Sequence, residues 1–533
     1  MKNYFLLILS VALYSCSEKP RFELLKSSHT GVNFNNAVFE TDSVHVINFE
    51  YIYNGAGVGI ADLNNDGLQD VIFTANQVAP EVYLNNGNFK FEDISSNFTD
   101  LANGQWYSGV TFIDINNDGW KDVYFTCTNS KNSVENKNRF YINQGIQSDG
   151  QLLFEEMAEK YGIADDSYTV HAAFFDYDLD GDLDLYLLNN FVTDRLTASY
   201  RPKITDGSAI SNDDLYRNNN DGTFTNVTLE AGIRFEGFGL GLAMGDVNKD
   251  GYPDIYVSND FISNDLLYIN QTDGSFKNEI ATYMSYQTKS SMGNDMADIN
   301  NDGNLDMYTL DMMPEYYHKK KQTINGFGYV YYTNDAKLGY EHQYLRNMLH
   351  MHNGFVDGEM IPYSEVGQML GIYNTEWSWS PLFADYDNDG DKDLIVANGY
   401  PIDMTDKDWT RYKVQVYGHI ADAKHVIDAA PAVKAFNHAY ENIGELEFKK
   451  ISQEWFEEVP SYSYGAAFVD LDNDGDLDYV VNNLNDEAFI YKNNTVEKDK
   501  EKTNYIRIKL NGKKDNTFAY GAKVELWSGG EYQ

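Results

Sequence analysis

The nonapeptide Asp62-Leu63-Asn64-Asn65-Asp66-Gly67-Leu68-Gln69-Asp70 sets oxygen-bearing side chains at positions 1, 3, 5 and 9 and a glycine at position 6. Alternating oxygens ahead of a glycine turn are the start of a loop for a hard cation, because calcium takes about six to eight oxygens around one centre. The pattern returns six times: at Asp114, Asn116, Asp118 and Asp122; at Asp176, Asp178, Asp180 and Asp184; at Asp246, Asn248, Asp250 and Asp254; at Asp298, Asn300, Asp302 and Asp306; at Asp385, Asp387, Asp389 and Asp393; and at Asp470, Asp472, Asp474 and Asp478. Such a pattern arises by chance roughly once in 10^5 starts at ordinary residue usage. Turn chemistry alone favours Asp, Asn and Gly in one copy, but it does not produce seven copies that share a ninth Asp.

An EF-hand needs a bidentate Glu at position 12. Here that position holds Phe73, Phe125, Leu187, Val257, Thr309, Val396 and Val481. The residues on both sides of the loop are β-branched and aromatic, as in Gly57-Val-Gly-Ile-Ala before it and Val71-Ile-Phe-Thr after it. The loop therefore joins two strands of a hairpin. A second landmark follows each loop: Tyr83, Tyr141, Tyr216, Tyr268, His350, Tyr440 and Tyr491, most of them ahead of an Asn-Gly or Asp-Gly turn and a fourth strand such as Phe91-Glu-Asp-Ile. Seven four-stranded units predict an all-β fold, a seven-bladed propeller over residues 20–497 with a cation loop in each blade.

The spacings locate the insertions. Successive motifs lie 52, 62, 70, 52, 87 and 85 residues apart. From landmark to next motif the distance is nearly constant, so the extra residues fall between the second and third strands of blades 2, 3, 5 and 6. That loop lies on the face opposite the cation loops. Residues near 21–26, with Arg21-Phe22-Glu-Leu-Leu, resemble the fourth strand that blade 7 lacks and are expected to close the ring.

These residues resemble the FG-GAP/VCBS repeats of integrin-α-like propellers. Asn374-Thr-Glu-Trp377-Ser-Trp379 is similar to the bacterial branch related to cartilage acidic protein, and Asn504-Tyr-Ile-Arg-Ile-Lys-Leu with Tyr520-Gly521-Ala522 looks like the start of an ASPIC/UnbV domain. The resemblance implies about seven Ca²⁺, each held by the side chains of positions 1, 3, 5 and 9 and the carbonyl of position 7. It also implies an incomplete ASPIC/UnbV-like segment at 503–533, a truncated C-terminal β segment. Sites with Asn at position 3 are expected to be weaker than those with Asp.

The chain has 533 residues, 82 Asp+Glu against 40 Lys+Arg and a net charge of −42. Such charge repels phosphate backbones and excludes nucleic-acid binding. Two cysteines rule out a disulfide framework. Residues 1–15 read as a signal peptide whose apolar run is too short to span a bilayer, and Leu13-Tyr14-Ser15-Cys16 resembles a bacterial lipobox with lipidation at Cys16. This places the protein in the bacterial cell envelope as an outer-membrane lipoprotein, held to the membrane through that anchor alone. Cys127 is expected as a buried strand residue.

No His is followed by Glu and no Gly-x-Ser-x-Gly elbow occurs, so neither a zincin nor a hydrolase elbow is present. His350 and His352 read as structural. The exposed-aromatic candidates lie in the insertions: Tyr316, Tyr329 and Tyr331 in blade 5 and Trp409 in blade 6, offering contact area to a protein or glycan ligand. Function is read as non-catalytic binding, adhesion or assembly at the envelope; the alternatives are a polysaccharide lyase or glycosidase using the pore or insertion face, and a structural spacer.

Overall fold

A computed structural model describes residues 20–102, 104–128, 136–191, 201–323, 329–444, 446–499, 504–513, 515–528 and 531–533. The signal segment 1–15 and Cys16 lie outside the described residues, as does the side chain of Tyr331.

Seven four-stranded antiparallel sheets form the fold. Blade 1 runs Val58–Ala61, Asp70–Phe73, Glu81–Asn85 and Phe91–Asp93. Each second strand starts at the ninth Asp of its loop: Asp70–Phe73, Asp122–Thr128, Asp184–Asn189, Asp254–Asn259, Asp306–Thr309, Asp393–Asn398 and Asp478–Asn483. These strands are buried along their whole length because blades cover both of their faces, which is why they read as unbroken apolar runs rather than alternating ones. Cys127 sits fully buried among them. Apolar clusters form between neighbouring blades, as where Tyr141 and Phe125 of blade 2 meet Ile72 and Val82 of blade 1. Each blade thus buries its faces only by stacking on the next.

The ring closes as the N-terminal sequence predicts. Phe22–Leu24 pairs antiparallel with the third strand of blade 7, Phe22 opposite Asn493 and Leu24 opposite Tyr491. Phe22 is fully buried and stacks on Phe456 at 4.8 Å. Near the axis the first strands approach too closely for side chains. The Gly293 N–H donates to the Trp379 carbonyl at 3.0 Å, and a Cβ on Gly293 would stand 2.0 Å from that oxygen.

Residues 36–53 have no counterpart in the repeat, and they cap the axis on the insertion face. Val46, Ile52 and Tyr53 pack with Trp377, Tyr400 and Tyr464 in one buried cluster, and Tyr400 donates its hydroxyl to the Glu50 carbonyl at 3.1 Å. The insertions of blades 5 and 6 contribute short helices to the same face, Tyr317–Gln322, Tyr329–Lys337, Lys407–Val416 and Ala423–Asp428. The described residues of the C-terminal segment, 504–513, 515–528 and 531–533, lie on the other face, where Arg507 donates to Asp470 at 2.7 Å and Thr517 to Asp114 at 2.9 Å. Among its described residues the regular structure is the hairpin Trp527–Ser528/Glu531–Tyr532. Among the described residues no helix is long and apolar enough to cross a membrane.

Candidate metal centres

All seven loops share one backbone path. Position 4 is left-handed in every copy, with φ from 56° to 60° at Asn65, Asn117, Leu179, Lys249, Asn301, Asn388 and Asn473. Asn is the side-chain-bearing residue that best tolerates this region, and it fills five of the seven positions. Four of these amides also reach the neighbouring blade: Asn65 donates to the Gly119 carbonyl at 2.9 Å, Asn301 to Gly390 at 3.1 Å, Asn388 to Gly475 at 3.2 Å and Asn473 to Gly67 at 3.2 Å. The first Asp folds the turn by accepting the glycine N–H, as Asp62 does from Gly67 at 3.0 Å and Asp385 from Gly390 at 2.9 Å.

The ninth Asp does more than the ligand role expected of it. In blade 1 one Asp70 oxygen accepts the Leu63 N–H and the other the Asn85 N–H, both at 2.8 Å, tying the loop to the third strand. Asp122, Asp184, Asp254, Asp306, Asp393 and Asp478 repeat the arrangement with Asn143, Asn218, Asn270, His352, Asn442 and Asn493. Burial, with repulsion from the other loop carboxylates, pushes these acids up: Asp70, Asp254 and Asp306 to about 7, Asp122 to about 8, Asp184 and Asp393 to about 9.

The third-strand Asn completes the frame. Asn85 donates its amide to the Leu471 carbonyl of blade 7 at 2.9 Å, Asn143 to Leu63 at 2.9 Å, Asn270 to Tyr177 and Asn493 to Tyr386, each at 2.8 Å. These four bonds clamp the loops of blades 1, 2, 4 and 7 to the blade before each. The signal was present as an Asn two residues after every landmark Tyr. Blade 5 has His352 there instead. Its Nε2 faces the Val247 carbonyl at 3.1 Å and its Nδ1 accepts the Gly354 N–H at 2.8 Å, so the neutral Nε2–H tautomer reproduces the amide. His350 is buried with Nε2 3.1 Å from the Tyr286 carbonyl. Both histidines are structural.

The loops then divide. Blades 3, 6 and 7 have Asp at position 3 and also at position 7, as Asp182, Asp391 and Asp476. In these three blades the carboxylates of positions 1, 3 and 9 converge within 4.8 Å: Asp176, Asp178 and Asp184; Asp385, Asp387 and Asp393; Asp470, Asp472 and Asp478. One oxygen each of Asp176, Asp387 and Asp472 is buried with no hydrogen-bond donor. Clustered, desolvated and donor-poor carboxylates fit a divalent cation. In blades 1, 2, 4 and 5 the third residue is Asn, and its amide instead donates to the Asp at position 5. Asn64 reaches Asp66 at 2.9 Å, Asn116 reaches Asp118 at 2.9 Å, Asn248 reaches Asp250 at 3.0 Å and Asn300 reaches Asp302 at 3.1 Å. In these four loops the third residue is thus held within the loop. Basic side chains accompany the acid-rich class: Arg21 lies 3.6 Å from Asp387, while Lys492 pairs with Asp472 and stands 3.2 Å from Asp474.

On the opposite face Tyr316 and Tyr329 are exposed, at 56% and 82%. Trp409 is a correction. It is buried in the cluster that caps the axis and donates Nε1–H to the Val426 carbonyl at 2.9 Å, because the two blade 6 helices pack on each other through it. It is a core residue rather than a ligand contact. Trp377 lies in the capping cluster and Trp379 beside it at the pore, stacked on Tyr400 and Tyr464 at 4.2 and 4.4 Å respectively.

The chain is 22% identical over 268 residues to a T-cell immunomodulatory protein homolog of Plasmodium yoelii yoelii, a match that spans 42% of this chain and 38% of that relative's length. Two crystal structures of BBS1N in complex with ARL6DN, soaked with mercury and with lead, overlay with a TM-score of 0.40 at 8% identity; they cover 83% and 89% of this chain and 94% and 98% of theirs. The FG-GAP-like repeat family matches residues 48–125, 204–257 and 246–309, so the chain carries FG-GAP-like repeats within a seven-bladed β-propeller.

Proposed function

We propose that this protein is a calcium-stabilised, non-catalytic binding module of the bacterial cell envelope, lipid-anchored at Cys16, whose insertion face takes a protein or glycan ligand. The carrying observation is the asymmetry of the two faces. One face repeats the same loop seven times. The other is built from unique segments, with Tyr316, Tyr317 and Tyr329 exposed at its surface. Repetition serves the scaffold, whereas unrepeated exposed aromatics supply contact area at low entropy cost. Calcium is the cation that suits the loops, since all side-chain ligands are oxygens and the geometry is an open loop rather than a rigid octahedron. The blade 3, 6 and 7 loops hold it tightly and the Asn-bearing loops weakly.

The binding face is tested with the Tyr317→Ala/Tyr329→Ala double variant on a glycan array and against envelope protein extract. Binding lost at unchanged melting temperature supports the assignment. Binding that survives there but disappears when the loop face is altered would sink it. Metabolic labelling with an alkynyl fatty acid tests the anchor: Cys16→Ser is expected to abolish the label.

A further inference from the structure

On the insertion face a cleft of ≈ 620 Å³ opens between the blade 5 insertion and blade 6, a size in the range of small-ligand sites. Two aromatic rings flank it, Tyr316 at 56% exposure and Phe436 at 36%. Its floor carries Glu376 and His438, both buried. Glu376 holds a left-handed φ of 70°, a conformation that is strained for a Cβ-bearing residue. Such strain persists where surrounding structure holds it, and here the Glu376 N–H donates to the Met313 carbonyl at 3.2 Å.

The ammonium groups that line this cleft are already matched, Lys434 by Asp486 at 2.8 Å, and Lys319 and Lys450 by the carboxylates at its floor. The Glu376 carboxylate accepts the Glu315 N–H and the Lys319 ammonium, each at 3.2 Å. Lys450 grips both oxygens of Glu315, at 2.8 and 2.7 Å. Burial pushes the His438 imidazole down to about 3, so it is neutral. An anionic ligand would have to break one of these pairs and pay desolvation without a free cation to meet it. A polyanion is further disfavoured by the −42 of the chain. A polyhydroxylated neutral ligand meets no such obstacle. Its hydroxyls can donate to the spare lone pairs of Glu315 and Glu376 and accept from Lys319 and Lys450, while an apolar ring face lies on Tyr316.

We infer that this cleft is a binding site for a neutral carbohydrate, with Tyr316 as the stacking platform and Glu376 as the buried acceptor at its floor. The assignment rests on the insertion face being the binding face.

Isothermal titration of the full chain in calcium with cellotetraose, xylotetraose and mannotetraose, and with trigalacturonate as the anionic arm, tests it. At least one neutral tetramer is expected to bind saturably and to keep its Kd within about twofold between 0.05 and 0.5 M NaCl, as an uncharged ligand should. Tyr316→Ala, an exposed position that leaves the fold intact, should weaken that binding at least tenfold, and Glu376→Gln should weaken it too. Binding of trigalacturonate alone with steep salt dependence, no binding of any neutral tetramer, or neutral binding untouched by Tyr316→Ala would overturn it. A ligand that depends on Tyr317 and Tyr329 but not on Tyr316 or Glu376 overturns the cleft while leaving the wider reading standing. Loss of every ligand from the insertion face overturns both.

Discussion

The loops of blades 3, 6 and 7 and those of blades 1, 2, 4 and 5 share a backbone and differ in what they need. In the second group an Asn amide at position 3 ties to the Asp at position 5, and the loop closes on its own hydrogen bonds. In the first group an Asp takes that place and another Asp stands at position 7, leaving buried oxygens with no donor. One repeat can therefore close on its own hydrogen bonds or gather three carboxylates that could hold a cation, according to the residue at position 3. The turn geometry belongs to Asp at 1 and 9, a left-handed residue at 4 and Gly at 6; the clustering of carboxylates goes with Asp at position 3.

The largest expected effect is that of removing calcium. A site at a hundredfold excess of ligand over Kd contributes about 2.7 kcal/mol, so three tight sites make EGTA lower the melting temperature by on the order of 10 °C. Titration with Ca²⁺ should resolve a tight class of three ions and a weaker class in the remaining loops. Seven equivalent ions would erase the distinction between the loops, and no loss of stability in EGTA would remove calcium from the account.

The pH dependence separates the classes further. In EGTA the ninth Asp has a folded pKa above the value of about 3.9 for an unfolded Asp. Its contribution is therefore complete below about pH 4 and is lost as pH rises through the folded value. That loss centres near 7 for Asp70, Asp254 and Asp306 and near 9 for Asp184 and Asp393. Melting in EGTA should thus fall in stages from pH 5 to 10, and saturating calcium should flatten the curve. A calcium-free protein that gains stability over that span would contradict the burial of these acids.

Exchanging position 3 gives a smaller, more pointed result. Asn64→Asp should cost about 1–3 kcal/mol in EGTA, by losing the internal hydrogen bond and adding an unpaired carboxylate, and should recover in calcium with one more tight ion. Asp472→Asn is expected to behave in reverse, with Lys492 losing one partner. The smallest effect is His352→Asn, which restores the amide present in the other blades. It should shift stability by less than about 1 kcal/mol, whereas His352→Leu, which leaves the Val247 carbonyl without its donor, should cost about 1–3 kcal/mol; chemical denaturation of the pair checks this.

Much of the fold was legible because the repeat is local. Loop, hairpin and landmark recur in sequence at short range, and even the closing strand at Phe22 carries the pattern of its siblings. The cap formed by residues 36–53 was not legible. Val46, Ile52 and Tyr53 repeat nothing in the chain, and their partners Trp377, Tyr400 and Tyr464 lie more than 300 residues away. Trp409 misled for a related reason: an aromatic residue in an insertion looks the same whether it faces solvent or a second helix, and only the position of Val426 distinguishes them. The acids at position 7 were visible, but nothing local says whether such a side chain points into the loop or away from it.

The amino-acid sequence alone determined the number of blades, the face that carries the loops, the strand that closes the ring and the places where insertions enter, since all of these follow from spacing along the chain. The tertiary structure decided which carboxylates meet, which stay satisfied by amides, which aromatics are core and where the matched charges of the blade 5–6 cleft come together. Those outcomes depend on contacts between residues distant in sequence, and on whether burial leaves a polar atom with a partner or without one.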